Sequence, residues 1–302
     1  MAAAPQIFDR KLLRRRRDRI ARRSAGERLP DFLLERVAED FADRLALVRR
    51  EFPVGACIGA YHGLLTARLR RLPSIGCMID IEPSIVSLAP GGGLKVVAEE
   101  EALPFAAASL DLIVSGLSLQ FINDLPGTLV QINRALKPDG LFLGALLGGE
   151  TLKELREAWI LAEDELLGGA SPRVAPFADV RELGGLLQRA GFALPVADND
   201  VIEVTYSSPL ALMQELKAMA ASNPLVERRR TPVTRGLLLR AAEIYHERFA
   251  LANGRIPATF EIVTLTGWAP HESQQKPLQP GSATVSLTDV LKARSKNPGA
   301  TE

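Results

Sequence analysis

The chain has 302 residues, 47% of them hydrophobic and 24% charged, with a formal net charge of +1. This is ordinary globular composition with length for a large core, and the near-neutral balance excludes a molecule drawn as a whole to nucleic acid. No apolar run reaches the roughly 18 residues of a membrane span, and the opening MAAAPQIF lacks the apolar core of a signal peptide.

Residues 1–29 are a basic N-terminal segment. Within it, Ile7, Phe8, Leu12, Leu13 and Ile20 give the Arg-rich stretch a sparse apolar stripe. Three readings stand: a solvated helix face, a dock for an acidic partner, and peripheral contact with an anionic membrane. Asp9 and Asp18 argue against a mitochondrial transit peptide, which is poor in acids. The scarcity of aromatic residues argues against stacking on single-stranded nucleic acid. Residues 30–52 read as an amphipathic helix, with Leu34, Val37, Phe41, Leu45 and Val48 at helical spacing.

A run of apolar segments ending in polar groups follows. A first strand over 54–58 ends in a turn from Gly59 to Gly63, where glycine permits a sharp reversal and close ligand approach. A helix over 64–72 and a second strand over 75–81 come next. Asp80 ends that strand, with Glu82, Pro83 and Ser84 opening a helix, and is placed to accept from two ribose hydroxyls. A third strand over 94–98 leads into Glu99, Glu100 and Glu101, one of which points inward. A fourth strand over 110–115 starts with a structural Asp111 and ends at Ser115. A helix over 126–136, a turn at Lys137–Gly140 and a fifth strand over 141–147 complete the pattern. Cys57 and Cys77 both fall in strands expected to be buried and read as small core hydrophobes of a reducing compartment.

The remaining chain alternates helices over 151–167 and 178–190, a strand over 201–206, helices over 209–221 and 235–252, and a last strand over 259–268. Trp159 reads as core. The expected organisation is an α/β, Rossmann-like core over 30–208, a helical cap inserted at 209–257, a closing strand within 258–269 and a disordered tail over 270–302. The cap brings a second basic patch, Arg228, Arg229, Arg230 and Arg235.

The stretch from Glu99 to Gly149, with its acid before Ala-Leu-Pro-Phe and its Leu-Lys-Pro-Asp-Gly, resembles class I S-adenosylmethionine-dependent methyltransferases. With IFDRKLLRRRRDRIA and HGLLTARL it is also similar to the mitochondrial complex I assembly factor 5 family and its bacterial relatives. The resemblance implies a methyltransferase sheet and S-adenosylmethionine as cofactor. It assigns Gly59, Tyr61, Gly63, Asp80, Ile81, Glu99, Glu100 and Ser115 to cofactor binding, and implies no metal. It also implies a protein substrate such as a respiratory complex I subunit, no nucleic acid, and a bacterial cytoplasmic or mitochondrial matrix location. Two positions depart from the first motif. Cys57 replaces the acid that positions the cofactor's ammonium group, and Tyr61 replaces the middle glycine. Together these lead to an expected loss of several kcal/mol of binding, taking about 1.5–3 kcal/mol for a charged hydrogen bond plus strain.

Three functions follow. The first is methyl transfer, in which alignment supplies much of the acceleration and no acid–base dyad is required. The second, implied by the resemblance, is protein-arginine hydroxylation. His62, His246 and His271 are scattered and give no facial-triad spacing for it. The third is a non-catalytic assembly chaperone.

Overall fold

A computed structural model describes residues 6–23, 31–88 and 93–275. The chain divides into two units, residues 1–270 and 271–302. Of the second, only the turn at 271–275 is described, where His271 Nδ1 lies 2.7 Å from Ser273 Oγ. The tail expected to be disordered otherwise lies outside the described residues, as do residues 24–30.

The first unit is built on a seven-stranded sheet in the order β3-β2-β1-β4-β5-β7-β6. Its strands are β1 (Phe52–Ile58), β2 (Ile75–Glu82), β3 (Leu94–Val97), β4 (Leu110–Gly116), β5 (Leu136–Leu147), β6 (Ala193–Tyr206) and β7 (Ile256–Trp268). The first five are parallel and β7 runs antiparallel between β5 and β6. Every residue of β4 is buried, as a parallel strand covered on both faces requires.

Among the described residues, eight α-helices accompany this sheet: α1 (Arg10–Arg23), α2 (Phe32–Leu47), α3 (Leu64–Leu69), α4 (Leu125–Ala135), α5 (Lys153–Leu167), α6 (Val180–Arg189), α7 (Pro209–Ala218) and α8 (Arg235–Phe249). One face packs on α2, α3, α5, α7 and α8, the other on α4 and α6. The stripe Leu33, Val37, Phe41 and Leu45 explains α2, since its members recur every four residues and all are buried. Asp124 caps α4, Asp179 and Glu182 form a capping box on α6, and Thr234 caps α8. The strand order reverses between β1 and β4, so their C-terminal ends diverge and leave a crevice.

Four local expectations are corrected. No helix follows Glu82; residues 83–88 form bends and turns, with Ile85 74% exposed. That face of β2 therefore lacks cover near its start, and Cys77 is exposed while Cys57 is buried. The Lys137–Gly140 turn is folded into β5 as a bulge. Asp139 takes a φ of +63°, and the β4–β5 register shifts between Leu110 and Leu112. Finally, β6 begins eight residues before the expected start. Its Pro195, Asp198, Asn199 and Asp200 are poor strand formers tolerated on an edge, with the proline at an irregularity in the β6–β7 register.

Candidate functional site

The crevice is bounded by the loop leaving β1. Gly59 has a φ of +67°, His62 +44° and Gly63 +68°. A Cβ on Gly59 would lie 2.1 Å from Ser118 Oγ, so only glycine lets the loops after β1 and β4 approach this closely. His62 is held in its unusual conformation by its N–H donating to Ser87 O at 3.1 Å.

The acids lie beside this loop. Asp80 and Glu82 share one face of β2, two residues apart, and both are buried. Asp80 Oδ2 accepts from Arg70 Nη2 at 3.3 Å, whereas Asp80 Oδ1 has no partner. Glu82 Oε1 accepts from Arg17 Nη1 at 3.4 Å, and Glu82 Oε2 has no partner. Burial raises the Glu82 pKa, against the opposing pull of Arg17. Of the three acids after β3, Glu100 turns inward and is fully buried, accepting from Ser118 Oγ at 2.9 Å and from Arg10. Glu99 is half-exposed and pairs with Arg10 and Arg14 at 3.4 and 3.6 Å. Glu101 accepts from the Asn123 N–H at 2.6 Å.

Helix α1 closes the crevice from above. Its N-terminal lead is tied down by Asn123 Oδ1, which accepts from the N–H groups of Ile7 and Phe8, both at 2.8 Å. Phe8 packs edge-on against Phe121 at 5.8 Å. The basic segment is therefore not simply a solvated face. Arg14, Arg15, Arg19, Arg22 and Arg23 are exposed, while Leu13 and Arg17 are buried. Arg17 lies 3.9 Å from Glu100 Oε1, and its guanidinium sits 5.4 Å from the Tyr61 ring centroid.

The hollow left beneath Arg17 has a volume of about 110 Å³ and is lined by Gly59, Tyr61, His62, Gly116 and Leu117, among others. Burial pushes the Tyr61 phenol up to about 12, and its OH has no partner. Burial, with Arg17 adding repulsion, lowers His62 to about 4, although Asp31 Oδ1 lies 3.4 Å from its Nε2. The hollow is smaller than the roughly 300–1,000 Å³ of ordinary ligand pockets, and Tyr61 and Arg17 are among the side chains that line it.

The residues singled out from sequence are thus distributed unevenly. Gly59 and Tyr61 line the hollow, and Gly63 caps α3 at its edge. Asp80 and Glu100 are buried carboxylates that do not themselves line it. Glu99 sits on the rim. Ile81 faces the opposite core, contributing only its carbonyl, which accepts from Ala60 N at 3.0 Å. Ser115 is sealed between strands, its Oγ donating to Ile58 O at 3.0 Å. Cys57 is fully buried against α2 and α3, with its thiol pushed up to about 12 by burial. Sequence reasoning missed Glu82, Arg10, Arg17 and Ser118. The strand period of two relates Glu82 to Asp80, and Arg10, Leu13 and Arg17 share a helical face. Among the described residues no group of three or more His, Cys, Asp or Glu side chains is placed to hold a metal ion.

Residues 54–144 match the family described as a methyltransferase domain. The chain is similar to the arginine-hydroxylase NDUFAF5, mitochondrial, of Rattus norvegicus, with 40% identity covering 96% of this chain and 85% of that protein. The Homo sapiens counterpart is 39% identical over 97% of this chain and 85% of its own length. A malonyl-[acyl-carrier protein] O-methyltransferase of Laribacter hongkongensis is 35% identical over 82% of this chain and 86% of its own length. Among solved structures, the YcgJ protein of Bacillus subtilis superposes with a TM-score of 0.52 at 13% identity, covering 78% of this chain and 99% of that one, a likeness of fold alone. The sheet order and the sequence match agree on a class I methyltransferase fold, whose cofactor is S-adenosylmethionine. By identity over nearly its whole length, the chain belongs to the NDUFAF5 family of methyltransferase-fold proteins.

Proposed function

We propose that the protein binds S-adenosylmethionine across the ends of β1, β2 and β3 and transfers its methyl group to a second substrate in the assembly of respiratory complex I. The observation that carries this reading is the pair of buried, unpartnered oxygens, Asp80 Oδ1 and Glu82 Oε2, on one face of β2 beside the glycine turn. A buried acceptor left unsatisfied costs about 1–3 kcal/mol, more when charged. Hydroxyl donors of a ribose remove that cost, so these residues fit the nucleoside half of the cofactor. Gly59 allows backbone approach, and Glu100 with Ser118 faces the base.

When bound, the cofactor supplies a methyl group already activated on a sulfonium. The chain's own task is therefore orientation. The amino-acid arm meets less help: Cys57 is neutral and sealed in the core, and Tyr61 narrows the path. Access requires Arg17 and the Tyr61 ring to leave the hollow, which makes α1 a strap over the nucleoside site.

Calorimetric titration with S-adenosylmethionine and with S-adenosylhomocysteine tests this. We expect saturable heat, and at least tenfold weaker binding in Asp80→Ala, equivalent to about 1.5–3 kcal/mol for a charge-assisted hydrogen bond. No heat and no shift in Tm at millimolar ligand overturns it.

The complex I role is supported by membership of the NDUFAF5 family. We place it in a reducing compartment, the bacterial cytoplasm or the mitochondrial matrix, which the free Cys57 and Cys77 support. The name shared by the NDUFAF5 relatives supports a second reading, arginine hydroxylation of a complex I subunit. Mass spectrometry of complex I subunits from a deletion strain decides between them: a lost +16 Da mark on arginine favours hydroxylation, a lost +14 Da mark methyl transfer.

A further inference from the structure

A larger cavity, of about 400 Å³, opens under the cap beside the crevice. It shares Leu33, Phe121, Leu147, Met219 and Ala221 with the hollow below Arg17, so the two spaces adjoin. Its volume falls within the ordinary range for small-molecule sites. Apolar walls come from Met213, Leu216 and Met219 along α7 and its end, and from Leu155 and Trp159 on α5. Methionines are flexible enough to mould to an unbranched or irregular apolar body.

The charge of the lining is one-sided. Arg16, Arg173, Arg228 and Arg229 contribute to it, and no Asp or Glu does. Arg173 is matched by Glu163 and lies 5.0 Å from the Trp159 ring centroid. Arg228 pairs with Asp9 at 3.2 Å. Arg16 and Arg229 form no ion pair among the described residues. Arg16 Nη1 donates only to the carbonyls of Ser222 and Asn223, at 2.7 and 2.8 Å, and Arg229 Nε to Thr231 Oγ1 at 3.0 Å. Arg16 is half-buried, and desolvation and repulsion from Arg228 lower its pKa. Guanidinium groups without a direct ion pair, Arg16 half-buried and Arg229 exposed at the mouth, beside an apolar chamber form a receptor for an anion with an apolar body. The same field disfavours a cationic ligand.

We infer that this cavity binds a small amphipathic anion, its apolar chain against Met213, Met219 and Trp159 and its carboxylate or phosphate at Arg16 and Arg229. This inference is independent of the transfer reading, since binding is measured without S-adenosylmethionine, and the two stand or fall separately.

Trp159 fluorescence in the full chain, with Trp159→Phe as the blank, reads the cavity directly. The probes are decanoate, decyl phosphate, decanol and decyltrimethylammonium, each kept below its micellar concentration. We expect saturable changes with decanoate or decyl phosphate, with decanol and the ammonium at least tenfold weaker. The stronger of the two anions identifies the head group as carboxylate or phosphate. Arg16→Gln and, separately, the exposed Arg229→Gln should each weaken anion binding about fivefold or more, and Met219→Trp should block it by filling the chamber. Equal binding of decanol or the ammonium, absence of saturable binding by both anions, or anion affinity unchanged in both arginine variants overturns the inference. Circular dichroism of each variant separates lost binding from lost folding.

Discussion

A methyl group on Gly59 would sit 2.1 Å from Ser118 Oγ, on a backbone with φ of +67°. Gly59→Ala should therefore cost about 1–3 kcal/mol from the left-handed conformation alone, with displacement of Ser118 added, read as a lower urea midpoint. Tyr61 works the other way. Its ring narrows the hollow and its OH lacks a partner, so Tyr61→Gly should tighten S-adenosylmethionine binding severalfold by calorimetry; an unchanged Kd means the ring is no obstacle. His62 offers a pH test. Its pKa falls from 6.5 to about 4 on folding, so between those values the unfolded chain binds a proton that the folded chain refuses. Stability therefore falls as pH drops through that window, by up to about 3 kcal/mol. The difference between wild type and His62→Gln, followed by urea unfolding from pH 7 to 4, isolates this contribution from that of the carboxylates. These residues were readable as an interrupted glycine motif. What the substituents at 57 and 61 do was not, because one points into a core and the other under an arginine from α1.

At the scale of elements, α1 contributes more than its composition suggests. Arg17 and Glu82 have side chains only 9% and 2% exposed. Removing one charge strands the other in a poorly solvated place. Arg17→Leu should therefore destabilise by roughly 3–5 kcal/mol, while Arg17→Leu with Glu82→Leu recovers most of that loss. A double-mutant cycle by urea unfolding measures it, and an additive cycle denies the coupling. The apolar periodicity of α2, the caps of α4, α6 and α8, and the central strands were legible because each follows from neighbours along the chain. The missing helix after Glu82, the bulge at Lys137–Gly140 and the early start of β6 were not. Each depends on which side of the sheet has cover, or on whether a strand lies at an edge.

Across the whole molecule, residues 7–17 tie the segment at 222–226 to the loop after β4. Ile7 O accepts from Val226 N at 2.9 Å, Asp9 N donates to Pro224 O at 2.8 Å, and Arg16 holds the carbonyls of Ser222 and Asn223. The same segment thus covers Glu82 and Glu100 and contributes Arg16 to a wall of the larger cavity, so on the functions proposed above a ligand in either space would act on it. The amino-acid sequence by itself determined the α/β class, the methyltransferase-like run from Glu99 to Gly149, and the acids near the crevice, because hydrophobic period and turn chemistry are local. Only the tertiary structure decided that Glu100 rather than Glu99 turns inward, that Glu82 joins Asp80, and that arginines from α1 face them. Those choices depend on which groups, far apart in the chain, exclude water from one another, and a buried charge is set by its partners rather than by its place in the sequence.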